Sequence, residues 1–308
     1  MSRLATVGRR TARYAIAGIG VYQPAAEAAD APRITGADCL GVSYRVQAKS
    51  GLNTASLAAG AARAALQASG IDPGDIELIV VGTTTPDVLW PSTACLVQGE
   101  LGLPMVASFD LYAAEASVLT ALDVAGRYVA AGARAALVIG AESANQLVDF
   151  PGQSGGRHPR AAAAAVLSRA SADDGAMLTS VAGGVATRDR GADARQQVTI
   201  DGISRSVTEC LRRAEMELAD IDLVIAEQTA PALMRSWASV AGVPSQALLL
   251  EPDRYAAAFA AAPFIALHDA VKEGRLQPRM TALMVSCGSG PIWAAACLRW
   301  GEAGIAEW

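Results

Sequence analysis

The sequence predicts an α/β protein built from two copies of one strand-and-helix unit. Residues 75–86 (DIELIVVGTTTP) and 220–231 (DIDLVIAEQTAP) share an acidic turn, a short apolar run and a polar loop. Two further apolar runs, Ala136–Gly140 and Ala282–Ser286, lie at nearly the same separation: 146 residues (136 to 282) against 145 (75 to 220). Although any two α/β segments share some of this pattern, two matches at one offset indicate an internal duplication.

Each repeated apolar run follows a helical stretch. We expect helices over Thr54–Ser69 and Ser117–Ala131 in the first copy, and over Ser204–Glu217 and Pro263–Glu273 in the second. The apolar runs are short and uniformly apolar, which is typical of strands buried on both faces. Because helices and strands alternate, the sequence predicts parallel or mixed sheets with helices on their faces.

The two copies are not separated by a linker rich in proline, glycine or serine. Residues 152–159 are rich in glycine, but the apolar run Ala161–Leu167 follows at once, so we expect a loop within one compact body. Asp173–Gly175 is the more natural boundary. The predicted halves are therefore residues 1–172 and 173–308.

The composition excludes several classes of protein. Hydrophobic residues make up 52% of the chain, and the formal net charge of −5 gives no basic surface, so we expect neither nucleic acid nor an anionic membrane as a partner. No apolar run reaches the about 18 residues of a membrane span. The basic start lacks the apolar stretch of a signal peptide, which predicts a loose arm. The five cysteines form no CxxC pair, so we expect no metal site and a reducing, cytoplasmic location.

Four motifs, taken in order, resemble the thiolase superfamily. Trp90–Gln98 is similar to the loop and helix before its active site, and Ser108–Ser117 is similar to its nucleophile turn. Asp253-Arg254 before a helix of small residues, and Ser286–Trp293, complete the set. The resemblance extends over nearly the whole chain and is closest to β-ketoacyl-acyl-carrier-protein synthase III enzymes. It implies a thiolase-like αβαβα layered fold built from two duplicated halves, and a dimer.

The resemblance also implies a catalytic triad, which this sequence has replaced. In the family a cysteine at a helix N-terminus attacks an acyl thioester, because the helix dipole lowers its pKa, and a histidine and an asparagine assist condensation. Here Glu115 stands at the cysteine position, Glu227 at the histidine position and Ala257 at the asparagine position. We therefore do not expect ordinary Claisen condensation. Condensation would require Cys287 or another residue to act as the nucleophile. For Cys287, packing as a small side chain is the simpler interpretation.

Other parts of the resemblance concern the bound substrate. Gly288 and Ser289, with the backbone N–H of Glu115, are expected to form an oxyanion loop. Arg157 and Arg160 have two interpretations. They are expected either to lie in a solvated loop or to contact the phosphates of a carrier-protein arm or of coenzyme A. We expect no permanently bound cofactor and a substrate carried as an acyl-carrier-protein or coenzyme A thioester.

Two functions fit the replaced triad. The chain is expected to act on or bind acyl thioesters in polyketide or fatty-acid-type specialised metabolism. The first hypothesis is a non-condensing partner subunit of an active ketosynthase, forming a homodimer or a heterodimer with a ketosynthase III-like subunit and working with acyl carrier protein. The second is a repurposed enzyme for acyl transfer, decarboxylation, hydrolysis or cyclisation, with Glu115 and Glu227 as an acid–base pair. The alternative for the two glutamates is purely structural, since a glutamate in a first helical turn complements the dipole.

Overall fold

The computed structural model describes residues 14–23, 53–143, 160–169, 177–182, 192–288, 292–301 and 303–307. Their helices and strands follow in the order β1 (Tyr14–Tyr22), α1 (Thr54–Ser69), β2 (Ile76–Gly82), α2 (Thr93–Leu101), β3 (Ala107–Leu111), α3 (Ser117–Ala131), β4 (Ala135–Ser143), β5 (Arg160–Arg169), β6 (Met177–Ala182), α4 (Ala192–Ala214), β7 (Leu223–Ala226), α5 (Pro231–Ala241), β8 (Leu248–Leu249), α6 (Pro252–Tyr255), α7 (Ala262–Lys272), β9 (Thr281–Cys287), β10 (Trp293–Arg299) and β11 (Gly304–Glu307).

The described strands form two mixed sheets that repeat one topology. The first sheet has the order β11-β1-β5-β4-β2-β3 and the second has the order β6-β10-β9-β7-β8. Strand β2 lies parallel between β4 and β3, as β7 lies parallel between β9 and β8. The strands of residues 1–172 and 173–308 thus fall in separate sheets, with one exception. Strand β11 returns from the second half and pairs with β1.

Three apolar clusters divide the molecule into five layers. One cluster lies between α1, α2 and the outer face of the first sheet, and another lies between the second sheet and α4, α5. The central cluster holds α3 and α7 between the two sheets, with Leu119 and Phe264 fully buried in it. The predicted αβαβα layering is confirmed, and both halves share one core. Within the described ranges, no helix combines the length and apolar character that crossing a membrane requires.

Hydrogen bonds at its ends explain where α1 begins and ends. The Asn53 side chain accepts from the Ser56 N–H at 2.8 Å, and the Asp87 carboxylate accepts from the first two amides of the helix, those of Thr54 and Ala55. A carboxylate at this position is favoured by the helix dipole. Gly70, with φ 64°, terminates the helix in the left-handed conformation that glycine tolerates. The bounds predicted for this helix are correct.

Close backbone contact joins α1 to β1. The buried face of the helix consists mostly of alanine. A Cβ atom on Gly20 would lie only 2.1 Å from the Ala65 nitrogen, so β1 can approach the helix this closely only where the strand has no side chain. The high alanine content of the chain therefore serves tight contact between layers.

Helix α4 differs most from the sequence-based expectation. The predicted Ser204–Glu217 helix begins at Ala192 and ends at Ala214. Gly202 lies within it, and a Cβ there would lie 2.3 Å from the Trp293 ring. Glycine lowers intrinsic helix propensity, so the predicted helix began only after Gly202. In the structure the helix continues through this glycine. The glycine is present because α4 packs directly on the indole of β10.

Candidate active site

Glu115 lies in the turn that joins β3 to α3. The Ser117 hydroxyl accepts from the Ala113 N–H at 2.8 Å and donates to the Ala114 carbonyl at 2.6 Å, which fixes the turn. Ala114 has φ 48°, a left-handed conformation that is rare for a residue with a side chain. Glu115 is 5% exposed and lies at the N-terminal end of α3. The positive end of the helix dipole therefore faces a buried carboxyl group.

Glu227 follows β7 and is 1% exposed. Its Oε1 atom accepts from the backbone N–H groups of Gln228 at 2.8 Å and Thr229 at 3.0 Å. Its Oε2 atom is buried and has no hydrogen-bond partner. The Gln228 side chain anchors this loop, since Nε2 donates to the Ala226 carbonyl and Oε1 accepts from the Glu251 N–H.

The negative charge of Glu115 acts on the ionisation of Glu227. Burial, and then the negative charge of Glu115, raise the pKa of Glu227 to about 8, against the opposing hydrogen bonds from Thr229 and Gln228. At neutral pH the Glu227 carboxyl group is therefore mostly protonated, and it can donate a hydrogen bond. The structure thus brings together the two glutamates that the sequence placed at the positions of the nucleophile and the histidine.

The end of β9 forms a third side of the site. A Cβ on Gly288 would lie 2.7 Å from the Ala114 Cβ and 3.1 Å from Glu115 Oε2, so the close approach requires glycine. Burial, and then the charges of Glu227 and Glu115, raise the pKa of Cys287. A thiol held in its protonated form is a poor nucleophile, which argues against a substitute catalytic role for Cys287.

The predicted oxyanion loop is only partly described. The Gly288 N–H donates to the Ile292 carbonyl at 2.7 Å. The oxyanion role of Gly288 therefore stays a prediction, and it requires this hydrogen bond to be exchanged for one to substrate. Ser289 lies outside the described residues.

Ala257 lies in a short 3₁₀ segment, Ala256–Ala261, between α6 and α7, and its side chain is not among those described. Within this segment Phe259 departs from helical geometry, with φ 42° and ψ −117°. The segment packs on β4, where a Cβ on Gly140 would lie 2.6 Å from the Ala260 carbonyl oxygen. Ala257, which we expect at the asparagine position of the family, thus lies in an irregular backbone segment that packs against the first sheet.

The two candidate phosphate-binding arginines are not tested by the structure. Arg157 lies outside the described residues. Arg160 begins β5, where its backbone pairs with Ser143, and its side chain is not described. Contact of either arginine with a phosphate stays a prediction.

Glu142 is a buried carboxyl group that the sequence analysis missed. It accepts from the Thr84 N–H at 2.9 Å and from the hydroxyls of Thr84 and Thr85 at 2.8 Å each. Burial raises its pKa to about 7. Strand pairing gives the position of Glu142. Strands β2 and β4 pair in parallel with Gly82 opposite Gly140, so Thr84 and Glu142, two positions further along the chain, must be neighbours.

One group of potential metal ligands lies away from this site. His268, Asp269 and Glu307 have ligand atoms within 4.8 Å of one another. Arg254 already pairs with Asp269 at 2.6 Å, and Lys272 pairs with Glu307 at 2.5 Å. These cations neutralise the carboxylates, so we assign no metal there.

Comparison with known proteins identifies the family of this fold and site. A model described as 3-oxoacyl-[acyl-carrier-protein (ACP)] synthase III matches residues 109–184, and its C-terminal counterpart matches residues 211–300. The β-ketoacyl-[acyl-carrier-protein] synthase III of Bordetella petrii is 33% identical over 282 residues, which cover 84% of this chain and 85% of that protein. The chain belongs to the β-ketoacyl-acyl-carrier-protein synthase III family. Glu115 lies in the first matched segment, and Glu227, Ala257 and Gly288 lie in the second.

Solved structures agree with the synthase III assignment. The 3-oxoacyl-[acyl-carrier-protein] synthase III of Aquifex aeolicus superposes with a TM-score of 0.80 at 28% identity, covering 93% of this chain and all of that one. OleA of Xanthomonas campestris superposes with a TM-score of 0.79 at 19% identity, covering 94% and 98%, and this likeness concerns the fold alone. The predicted membership of the thiolase superfamily is confirmed.

Proposed function

We propose that this synthase III relative acts on acyl thioesters through acid–base chemistry of Glu115 and Glu227, and not through cysteine-based condensation. The supporting observation is the pair of buried carboxyl groups, one of which has an oxygen without a partner. An unsatisfied buried polar group costs roughly 1–3 kcal/mol. Apolar side chains of similar volume often serve a purely structural site equally well or better. The two buried carboxyl groups therefore favour a function that uses them.

The proposed reaction class is acyl transfer from a thioester to oxygen or nitrogen, including water. An ionised carboxylate takes the proton from the attacking hydroxyl, amine or water, and the new bond forms at the thioester carbonyl. As the carbon–sulfur bond breaks, the protonated carboxyl group supplies a proton to the departing thiolate. Because Glu227 holds its proton up to about pH 8, it is the better candidate for the acid.

Two glutamine variants test this chemistry. Glu115→Gln and Glu227→Gln keep the side-chain volume but cannot exchange a proton, so each is expected to reduce acyl-thioester turnover at least 100-fold, within the usual contribution of a general acid or base. Release of free thiol measures the rate. Glu100→Gln is the matched control, because Glu100 is exposed on α2 and should leave turnover unchanged. Unchanged rates in both site variants would refute the proposal.

A second candidate, a non-condensing partner subunit, is favoured by one exposed surface. Strand β3 lies at the edge of the first sheet, and Phe109 and Tyr112 on it or just after it are exposed. The preceding segments add Leu89, Trp90 and Met105, of which Trp90 is 88% exposed. Among the described strands β3 pairs only with β2, and a strand with one open edge and exposed apolar side chains is suited to pairing with another chain. We propose that it forms a homodimer or joins a ketosynthase III-like subunit.

Solution mass, measured with and without an intact ketosynthase from the same source, tests the partner role. Tyr112→Lys is expected to weaken the dimer at least tenfold, since it places a charge in an apolar interface. Val240→Lys is the control, because Val240 is also exposed but lies on α5 of the second half. A stable homodimer that turns over acyl thioesters unaided would eliminate the partner hypothesis.

The acyl donor is proposed to be an acyl-carrier-protein thioester. The curated relatives are named for that carrier. Turnover of the same acyl group on carrier protein and on coenzyme A distinguishes the two donors. Equal kcat/KM for both would contradict the carrier preference without affecting the proposed chemistry.

A further inference from the structure

We infer that Glu142 is a positioning residue that ties the loop after β2 to the Ala256–Ala261 segment, and through that segment fixes the loop of Glu227. The inference rests on the proposed function only for its activity readout. Its structural content is that one buried carboxylate joins elements from both halves of the chain.

The first half contributes donors from the loop after β2. The Thr84 amide binds Glu142 Oε1, and the hydroxyls of Thr84 and Thr85 both bind Oε2. The Thr85 hydroxyl also accepts from the Ser143 amide at 2.9 Å. This closed set of hydrogen bonds fixes the carboxylate in one orientation.

The second half contributes the backbone N–H of Ala260, which lowers the pKa of the same carboxyl group against the effect of burial. Gly140, two residues before Glu142 on β4, allows the Ala260 carbonyl to approach the strand closely. The carboxyl group therefore lies between two segments that are more than a hundred residues apart in sequence.

The anchored amide follows a strained residue. Phe259 has φ 42°, and a side chain in this region persists only where its surroundings hold it. The approach of Ala260 to Gly140 and Glu142 involves the next peptide along the chain. We therefore assign to Glu142 the task of holding the turn at Phe259.

The segment connects in turn to Glu227. Gln228, next to Glu227, accepts from the Glu251 N–H at 2.8 Å, and Glu251 directly precedes α6. Helix α6 leads into the Ala256–Ala261 segment. The segment is thus held at one end by the Glu227 loop and at the other by Glu142, so release of Glu142 loosens one of the supports of the acid–base residue.

Amide hydrogen exchange of peptides spanning residues 256–262 tests the inference without requiring turnover. In Glu142→Gln, one acceptor oxygen remains for donors from both halves, and we expect exchange in this segment to rise about tenfold, as for loss of one hydrogen bond to a charged group. Peptides from α5 should stay unchanged, which separates local release from global destabilisation. Glu100→Gln is again the matched control.

Activity provides the second readout. If the proposed function holds, Glu142→Gln should lower kcat about tenfold and change KM less than twofold, because the acid–base residue is displaced while substrate contacts remain. Faster exchange in Glu142→Gln, combined with a wild-type protein that shows no turnover, would support the positioning role and reject the proposed function. Unchanged exchange in an active Glu142→Gln variant would reject the positioning role alone.

Thr84→Val serves if Glu142→Gln does not fold. It removes one hydroxyl donor and leaves the carboxylate in place. We expect a smaller, about threefold, rise in exchange of the 256–262 peptides. No change in these peptides would overturn the inference.

Discussion

The carboxyl group of Glu227 is subject to opposing influences at the scale of a single residue. Two backbone amides favour its ionised form, whereas burial and the charge of Glu115 favour its protonated form. The second set prevails, and the proton carried at neutral pH is what makes an acid–base pair possible.

Replacing Glu115 separates these contributions. In Glu115→Gln the neighbouring negative charge is gone, so ionisation of Glu227 becomes less costly and its pKa should fall below about 8. It should remain above the ordinary value, because burial still opposes the charge. A carboxyl 13C NMR titration, assigned by its loss in Glu227→Gln, measures the change. A pKa that stays at its wild-type value would show that the two groups do not interact.

Single residues show which features of the site the sequence could predict and which it could not. Motif order was sufficient to place Glu115 and Glu227 at one site, because each follows a strand of the duplicated unit. The partnerless Oε2 of Glu227 and the hydrogen bond of the Gly288 amide depend on side-chain rotamer and hairpin geometry, which no motif encodes. Glu142 was missed because the predicted apolar run ends at Gly140, and a carboxylate just beyond such a run has the usual pattern of an exposed loop, whereas β4 continues to Ser143.

At the scale of elements, contact between β1 and α1 is set by glycine. Gly20→Ala places a methyl group against the backbone of the helix at Ala65, and no flexible side chain can move aside. The expected loss is roughly 1–3 kcal/mol of unfolding free energy, the usual cost of overpacking. Chemical denaturation measures it.

Gly99→Ala is the matched control within helix α2. A Cβ at Gly99 meets no atom within 4 Å, and the residue lies inside the helix. Alanine should therefore stabilise the protein by about 0.5–1 kcal/mol through helix propensity. Equal effects of the two alanine variants would show that the β1–α1 contact is looser than the structure indicates.

Element bounds were predictable where local signals mark them. Helix α1 begins after the capping residue Asn53 and ends at Gly70, so its range followed from the sequence. The prediction began helix α4 too late, at Ser204, because Gly202 interrupts the helical pattern. This glycine is required by packing against Trp293, which is distant in sequence. Strand β11 has four residues and no counterpart among the described strands of the second sheet, so the duplication could not predict its pairing with β1.

At the scale of the whole molecule, the buried carboxyl groups predict how stability depends on pH. Glu142 and Glu227 have folded-state pKa values of about 7 and about 8, above the ordinary 4.5. Between pH 4.5 and about 8 the folded chain therefore binds more protons than the unfolded chain, and the free energy of unfolding falls as pH rises. Glu209 and Asp269 have lowered pKa values, so their contribution is lost only at more acidic pH.

Urea denaturation at pH 5, 7 and 8.5 measures this dependence. The loss of stability across the interval should be on the order of a few kcal/mol, and a variant carrying both Glu142→Gln and Glu227→Gln should show a flatter profile. Glu100→Gln, at an exposed position, should keep the wild-type slope. An unchanged slope in the double variant would place the origin of the pH dependence elsewhere.

The return of β11 to the first sheet has a consequence for synthesis on the ribosome. Strand β1 ends at Tyr22 and its partner begins at Gly304, so 282 residues (22 to 304) separate the two edges. At translation rates of about 5–20 residues per second, one edge of β1 waits roughly 15–55 s for its neighbour. A nascent chain halted in that interval exposes an open strand edge, which is a template for aggregation until β11 pairs with it.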